Sequence, residues 1–432
     1  MANAKRGAGR GFFWLCVAFA LGVLASLVVA NFGATEKKLD RALRHLHDTR
    51  DPAFARDLSL LLGPPLLDGN VAEVLLNGDR IFPAMLADIR AARSTISFET
   101  YIYWDGAIGE QFASALAERA QAGVKVHVLL DWLGSSRLPD AAQERMRAAG
   151  VEIERYHQPH WSHLPRLNNR THRKLLVVDG QVGYTGGVGI ADKWQGDAQD
   201  ADHWRDTHVR VRGPVVAQMQ SVFDDNWTKA TGKVLHGVRY FPPIEPLPGG
   251  MPAQVFSSSP SGGAESMHLM YLLAINAATS SIELSNSYFV PDDLTIQALV
   301  AAAKRGVKVR IVVPGPVIDS SVVRAASRAN WGPLLEAGVQ IAEYQPTMFH
   351  CKVLVVDRWF VSVGSTNFDN RSFRLNDEAN LNLLGEAFAT EQTKVFEQDL
   401  ARSKVVTLEA WRERPWKERA GELLGRLLES QL

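Results

Sequence analysis

Hydrophobic and polar positions divide most of the chain into helical stretches that alternate with short apolar strands. The stretches Ile108 to Ala122 and Leu294 to Arg305 are helical in pattern, and each leads through a glycine into a run rich in β-branched residues. Glycine fits the position just after a helix, and strands without polar positions are typical of sheets covered on both faces. This alternation predicts an α/β fold.

The same elements occur twice along the chain. Three segments of the first half have counterparts in the second: 122–126 and 305–309, 149–153 and 337–341, and 172–179 and 350–357. Because the spacing between counterparts varies, the pattern indicates two copies of one domain with loops of different length, and not a short-period solenoid. We therefore predict two tandem α/β sandwich domains, related by pseudo-two-fold symmetry and sharing one active site.

Composition suggests where these units begin and end. The proline- and glycine-rich segment 241–263 is interpreted as the link between the halves. The tail carries apolar residues at helical spacing among charged ones, and it either docks on the folded domains or lies on a membrane surface. The predicted units are an anchor (1–35), a connector (36–70), the first domain (71–243), the second domain (244–405) and a C-terminal amphipathic helix (406–432).

The N-terminal segment from Phe12 to Phe32 has 21 positions without a charge. A helix of that length is roughly 31 Å long, about the thickness of the bilayer hydrocarbon. A cleaved signal peptide is the alternative, but the apolar stretch is longer than the ~7–15 residues of a signal-peptide core. We predict a retained single-pass anchor in the cell (inner) membrane. Basic residues on both sides of the segment leave its orientation open.

The overall charge argues against a nucleic-acid partner. The chain has 47 basic and 47 acidic residues, so its formal net charge is zero. Proteins that bind many nucleic-acid phosphates usually carry a basic surplus. We therefore expect no nucleic-acid partner, while the oligomeric state stays open.

The pattern His-x-Lys-x4-Asp occurs once in each copy of the repeat. Side chains alternate between faces along a strand, so each His and its Lys project from the same side. Each Asp faces the opposite way near the strand end, which suits a structural role better than substrate contact. The candidate residues are His172, Lys174 and Asp179 in the first copy and His350, Lys352 and Asp357 in the second.

Two facing His-Lys pairs are suited to attack a phosphodiester without a metal or another cofactor. One neutral imidazole attacks phosphorus, one protonated imidazole gives a proton to the leaving oxygen, and the lysines hold the anionic oxygens. Both protonation states of histidine are accessible near neutral pH.

The segment from Tyr156 to Arg170 holds three further histidines. It has no accompanying cysteine or acidic cluster, so we expect no zinc site. Two interpretations remain, a solvated loop and a polar loop that shapes the mouth of the active site. In the second, Arg170 contacts the substrate phosphate.

These motifs resemble those of the phospholipase D superfamily, and the resemblance covers roughly residues 70–405. The superfamily signature continues after the Asp with Gly-Ser-x-Asn. The second copy has this sequence complete with Ser365 and Asn367, whereas the first copy has Gly187 and Gly189 at the Ser and Asn positions. One half therefore lacks side-chain donors that the other supplies. The resemblance implies that the first histidine of the pair is the nucleophile and the second the general acid.

A second repeated pattern places a carboxylate downstream of each motif, at Asp206 and Glu378. In the superfamily, a carboxylate here hydrogen-bonds the catalytic imidazole, sets its tautomer and favours its charged form. The alternative interpretation is a surface acid at the end of a strand. The shared position in the two copies favours the supporting role.

Three further segments, 204–209, 288–292 and 370–376, look like those of bacterial cardiolipin synthases. The resemblance implies a membrane-bound phosphatidyltransferase that acts on phosphatidylglycerol-like phospholipids through a covalent phosphohistidine. A hydrolytic phospholipase D is the main alternative. A nuclease that uses the same histidines and a catalytically inactive scaffold are two others.

Overall fold

The computed structural model describes residues 13–26, 39, 41–156, 158, 168–260 and 266–427. Within these residues, sixteen strands form one mixed sheet. The strands are β1 (Leu67–Leu76), β2 (Thr95–Thr100), β3 (Lys125–Asp131), β4 (Glu152–Tyr156), β5 (Arg170–Thr171), β6 (Leu175–Val178), β7 (Val182–Gly186), β8 (Thr207–Arg212), β9 (Met251–Ser258), β10 (Ser281–Asn286), β11 (Lys308–Pro314), β12 (Gln340–Tyr344), β13 (Lys352–Val356), β14 (Phe360–Gly364), β15 (Asn376–Leu384) and β16 (Ser403–Val406).

Helices flank this sheet and connect its strands. After an N-terminal helical stretch at 13–26, the helices are α1 (Pro52–Leu62), α2 (Asn77–Ala91), α3 (Ala107–Gln121), α4 (Asp140–Ala148), α5 (Val215–Thr231), α6 (Ser266–Ala277), α7 (Asp293–Lys304), α8 (Ser321–Ala329), α9 (Gly332–Glu336), α10 (Asn370–Arg374), α11 (Glu386–Ala401), α12 (Leu408–Arg412) and α13 (Trp416–Leu427).

The two halves of the chain repeat one strand order outward from the centre of the sheet. The first half has the order β1-β8-β7-β6-β2-β3-β4, and the second has β9-β15-β14-β13-β10-β11-β12, with β16 added at its outer edge. In both halves the three outer strands shared by the repeat are parallel, as in β2-β3-β4 and β10-β11-β12. Strands β1 and β9 pair antiparallel and join the halves. The predicted α/β fold in two copies is confirmed.

The buried strands explain why the hydrophobic pattern predicts this fold. Almost every residue of β2, β3, β10 and β11 is buried, because helices cover both faces of the sheet. The two helices predicted from spacing are α3 and α7, each within one residue of the predicted bounds. Gly123 (φ 91°) and Gly306 (φ 93°) follow them in a left-handed conformation that favours glycine.

Two segments interpreted as connections contribute to the folded body. Helix α1, within the predicted connector, packs into the core of the second half through Phe54, Leu58 and Leu62. The Phe54 ring lies edge-on to Phe360 at 5.6 Å between centroids. The predicted link contains β9, whose Ala253 and Val255 pack in the core between the halves. Residues 241–250, the part of the link before β9, contain no helix or strand.

The two ends of the chain differ in what the structure describes. Residues 13–26 are helical, while residues 1–12 and 27–35 of the predicted anchor lie outside the described residues. In the part of the chain that is described, no helix combines the length and the apolar character needed to cross a bilayer.

Helix α13 packs on α8. Its buried Glu422 pairs with Arg414 at 2.7 Å. The described part of the tail therefore packs on the second half of the chain through α8.

Candidate active site

A cavity of about 160 Å³ lies where the two halves meet, and it brings the predicted residues of both copies together. The imidazoles of His172 and His350 both line it. Lys174, Asn367 and Arg170 line it as well, as predicted for a shared site.

Lys352 lies directly behind His350 rather than among the described lining residues of this cavity. Its Nζ donates to the His350 carbonyl at 2.8 Å and to the Ser287 hydroxyl at 2.7 Å. The Ser287 hydroxyl in turn donates to Asn367 Oδ1 at 2.8 Å. Lys352 is thereby connected to the cavity through a polar chain.

Backbone pairing between the halves positions both histidines. Strand β5 pairs in parallel with the start of β15, and the His172 N–H donates to the Asp377 carbonyl at 2.9 Å. On the other side, Arg205 bridges to Phe349, and the His350 N–H donates to the Arg205 carbonyl at 2.8 Å. Each histidine segment therefore lies against the carboxylate-bearing segment of the opposite half.

The two carboxylates are exchanged between the halves. His172 Nδ1 lies 2.9 Å from Glu378 Oε1, and His350 Nδ1 lies 2.8 Å from Asp206 Oδ2. Both carboxylates are fully buried, so they are not surface acids at strand ends. When Nδ1–H donates to the carboxylate, the lone pair of the neutral ring is on Nε2.

The two carboxylates are held by different donors. The Ser365 hydroxyl donates to Glu378 Oε2 at 2.5 Å, whereas the Trp194 indole N–H donates to Asp206 Oδ2 at 2.9 Å. A Cβ atom at Gly187 would lie 2.2 Å from Asp206 Oδ1. The glycine in the first copy therefore leaves space for the carboxylate, and the indole supplies a donor in place of the missing serine.

Burial dominates the titration of the two imidazoles. Burial, helped by the charge of Lys174, lowers the pKa of His172 to about 4, although Glu378 opposes the shift. Burial and the charge of Lys352 also lower the pKa of His350, against the opposing effect of Asp206. Both shifts favour the neutral form of the rings at pH 7.

The lysines and carboxylates of the site are shifted as well. Burial lowers the pKa of Lys174 to about 7, and burial likewise lowers the pKa of Lys352. Burial works to raise the pKa of Asp206 and Glu378, but the histidine that each one contacts holds its pKa below the usual range. The site thus holds two carboxylates that stay ionised and a lysine that titrates near neutrality.

The aspartates of the motifs lie away from this cavity. Asp179 accepts hydrogen bonds from the backbone N–H groups of residues 93–95, and Asp357 does the same for residues 279–281. Both have a left-handed backbone with φ 54°. The structure does not bring them to the histidines, so they are not placed for catalysis, in agreement with the face expected from strand alternation.

Some lining residues carry no motif signal and were missed in the sequence. The Tyr101 ring lies edge-on to His172, with centroids 5.1 Å apart, and Lys174 Nζ lies 5.7 Å above it. Asp369 also lines the cavity, and burial raises its pKa to about 7. Arg371 and Asn376 also line the cavity. Both belong to the segment 370–376, and the resemblance of this segment to cardiolipin synthases was the signal in the sequence that could have identified them.

Two further expectations concern the mouth of the site and metals. The Arg170 guanidinium lies 5.1 Å from the Trp132 ring and lines the cavity. Most of the predicted mouth loop, residues 157 and 159–167, lies outside the described residues. Among the residues that are described, no group of three or more His, Cys, Asp or Glu side chains is arranged to hold a metal ion.

Comparison with known proteins gives the family. Residues 85–227 and 271–400 match the family described as "Cardiolipin synthase, PLD-like domain". The chain belongs to this family. It is therefore a phosphatidyltransferase of the phospholipase D superfamily, with the superfamily domain present twice.

Individual relatives agree with this assignment. Cardiolipin synthase A of Pseudomonas fluorescens (strain SBW25) is 36% identical over 370 residues, which cover 84% of this chain and 75% of the relative. Cardiolipin synthase of Geobacillus kaustophilus (strain HTA426) is 36% identical over 359 residues, covering 82% and 71%.

A solved structure shares the fold. The phosphatidylserine synthase of Haemophilus influenzae Rd KW20 superimposes with a TM-score of 0.67 over 88% of this chain and 99% of its own. Its sequence identity is 13%, so this likeness concerns the fold alone.

Proposed function

We propose that this protein makes cardiolipin by transferring a phosphatidyl group from one phosphatidylglycerol molecule to a headgroup hydroxyl of another, through a covalent phosphohistidine. The observation that carries this proposal is the pair of buried imidazoles on one small cavity, each bound through Nδ1 to an ionised carboxylate. This arrangement provides one nucleophile and one proton carrier for a single phosphorus atom.

In the first step His172 Nε2 attacks phosphorus. Its lowered pKa keeps the lone pair available at neutral pH, and Glu378 stabilises the positive charge that develops on the ring. The bond between phosphorus and the glycerol oxygen breaks, and His350 gives its proton to that oxygen. A bound phosphodiester anion raises the pKa of His350, because an opposite charge nearby favours the protonated ring.

In the second step a hydroxyl oxygen of the acceptor attacks the same phosphorus. The bond between phosphorus and His172 breaks, and the hydroxyl proton passes to His350. Lys174 and Arg170 bind the anionic oxygens of phosphorus during both steps. Lys352 adds positive charge from behind His350, and Asn367 provides an amide donor on the cavity wall.

The proposed setting of this reaction is the inner membrane. The apolar run from Phe12 to Phe32 has the length of a single-pass anchor, and a lipid substrate requires an enzyme at the bilayer surface. Recovery of the full chain in the membrane fraction after alkaline carbonate washing is the expected result. Release of the full chain into the wash would contradict the anchor.

The catalytic proposal is tested by product analysis and trapping. Purified full-length protein in detergent is incubated with phosphatidylglycerol, and lipids are identified by mass spectrometry. We expect cardiolipin and free glycerol in equal amounts, with chelators having no effect. Rapid alkaline quenching followed by peptide mass spectrometry should find an acid-labile phosphatidyl adduct on His172. Phosphatidic acid as the main product would support hydrolysis instead, and an adduct on another residue would overturn the assigned roles.

A further inference from the structure

A second, larger cavity adjoins the catalytic one. It has a volume of about 590 Å³, within the range of small-molecule sites. Tyr101, Ile102, Trp204, Tyr288 and Asp319 line both cavities. The Trp204 ring also packs against His350, with 5.5 Å between ring centroids. A molecule held in the larger cavity therefore lies beside the catalytic histidines.

Charge is distributed unevenly in this larger cavity. Of its described lining residues, Arg137 and Lys193 are cationic and belong to the larger cavity alone, while the acidic Asp319 lies on the shared wall. The Arg137 guanidinium lies 4.5 Å from the Trp104 ring. Lys193 has one long contact to Asp202, at 3.8 Å between two exposed side chains, and such a pair is weak. An anion therefore fits beside Arg137 and Lys193.

Apolar side chains line the same space. Leu133, Val317 and Ile318 belong to the lining, and Leu133 is 45% exposed. Partly exposed apolar groups beside cationic ones suit a ligand that carries an anionic group next to hydrocarbon. A phospholipid combines these properties.

We infer that the larger cavity binds the acceptor phospholipid, an inference that rests on the proposed function. Arg137 and Lys193 bind its phosphate, the apolar residues contact the adjacent acyl-glycerol part, and Asp319 accepts a hydrogen bond from a headgroup hydroxyl. Asp319 already accepts one from the Tyr288 hydroxyl at 2.7 Å. With the phosphate at Arg137 and Lys193 and a hydroxyl at Asp319, the free hydroxyl of the headgroup is directed towards the catalytic cavity. There its oxygen attacks phosphorus as the bond to His172 breaks, and its proton moves to His350.

The test separates the acceptor half of the reaction from the donor half. Free radiolabelled glycerol exchanges into phosphatidylglycerol through the donor half alone, whereas cardiolipin formation needs a lipid acceptor. In the double variant Arg137→Gln with Lys193→Gln, loss of two exposed phosphate contacts should raise the KM for cardiolipin formation about tenfold. Glycerol exchange should stay within about twofold of wild type, and the ratio of cardiolipin to phosphatidic acid should fall.

Two further variants serve as controls. Lys125→Gln with Lys308→Gln removes the same charge from exposed positions at the far ends of β3 and β11 and should behave as wild type. Arg137→Lys with Lys193→Arg keeps the charge and should retain most of the activity. The inference is overturned by an unchanged KM in the glutamine variant, or by an equal loss of glycerol exchange, which would place the two cations at the donor. Full activity of His172→Ala would instead refute the proposed function itself.

Discussion

His172 Nδ1 lies 2.9 Å from Oε1 of Glu378, a residue 206 positions further along the chain and in the other half of the molecule. The same exchange joins His350 to Asp206, 144 positions apart. Each half thus supplies the imidazole of one pair and the carboxylate of the other. The candidate site is therefore complete only when both halves are docked.

Replacement of either histidine should abolish transfer for a different reason in each case. His172→Ala removes the nucleophile, so cardiolipin formation and glycerol exchange should both fall on the order of 10³-fold or more. His350→Ala removes the proton carrier, which is typically worth about 10²–10⁴-fold in rate. Initial rates of both reactions are the measurement. The exposed His236 is the matched control, and loss of activity in His236→Ala would show that the effect is not specific.

Replacement of Asp206 should change the pKa of His350. The carboxylate raises the pKa of this ring, against burial and Lys352, so Asp206→Asn should lower that pKa further. His350 must be protonated to act as an acid, and the decline in kcat/KM with rising pH should therefore begin at a lower pH than in wild type. The rate should fall about 10²-fold or more. The measurement is the pH profile of kcat/KM in the variant and in wild type. A decline at the same pH in both would contradict the pairing of Asp206 with His350.

Binding of substrate should weaken above neutral pH through Lys174. Its pKa is lowered to about 7, so the side chain is charged below pH 7 and loses its charge as the pH rises above it. The KM for phosphatidylglycerol should then rise, by up to about tenfold per pH unit. Lys174→Arg keeps its charge at all these pH values. A pH dependence of KM that survives in this variant would assign the effect to another group.

The indole of Trp194 should affect catalysis through Asp206. Its N–H stabilises the carboxylate, and a hydrogen bond to a charged group contributes about 1.5–3 kcal/mol. Trp194→Phe leaves the carboxylate more basic, which raises the pKa of His350 and moves the decline in kcat/KM to higher pH, opposite to Asp206→Asn. We expect kcat to fall about tenfold. A lower rate with an unchanged pH profile would indicate a packing role only.

The motif aspartates should matter for stability rather than for chemistry. Asp179→Ala removes the acceptor for three backbone N–H groups and places alanine in a left-handed conformation. The free energy of unfolding should fall by about 2–4 kcal/mol, measured by chemical denaturation. Activity per folded molecule should stay near wild type at low temperature. Asp179→Asn tolerates the backbone conformation and should lose less stability.

The repeat and its motifs predicted most of the fold and much of the site, because both depend on local patterns. Strand alternation correctly placed Asp179 away from His172, and the second repeated pattern identified Asp206 and Glu378 as partners of the imidazoles. The sequence did not indicate which carboxylate serves which ring, because that depends on how the halves dock. Tyr101 carries no motif, and only the folded chain brings it beside His172.

The sequence alone did not show how the link and helix α1 are built into the fold. The prolines and glycines of the link were interpreted as a boundary, yet Ala253 and Val255 lie in β9, which pairs with β1 and β15. Helix α1 likewise lies in a segment that was interpreted as a connector. Its apolar face packs in the core of the second half. In both segments, therefore, contacts with distant parts of the chain determine the structure.

The exchanged carboxylates also bear on how the two copies could diverge after duplication. In two identical copies, one substitution would alter both imidazole environments at once. In this single polypeptide, Gly187 and Trp194 serve one ring while Ser365 serves the other. Selection on either histidine therefore acts on codons in the opposite half, and the two halves must evolve as a unit.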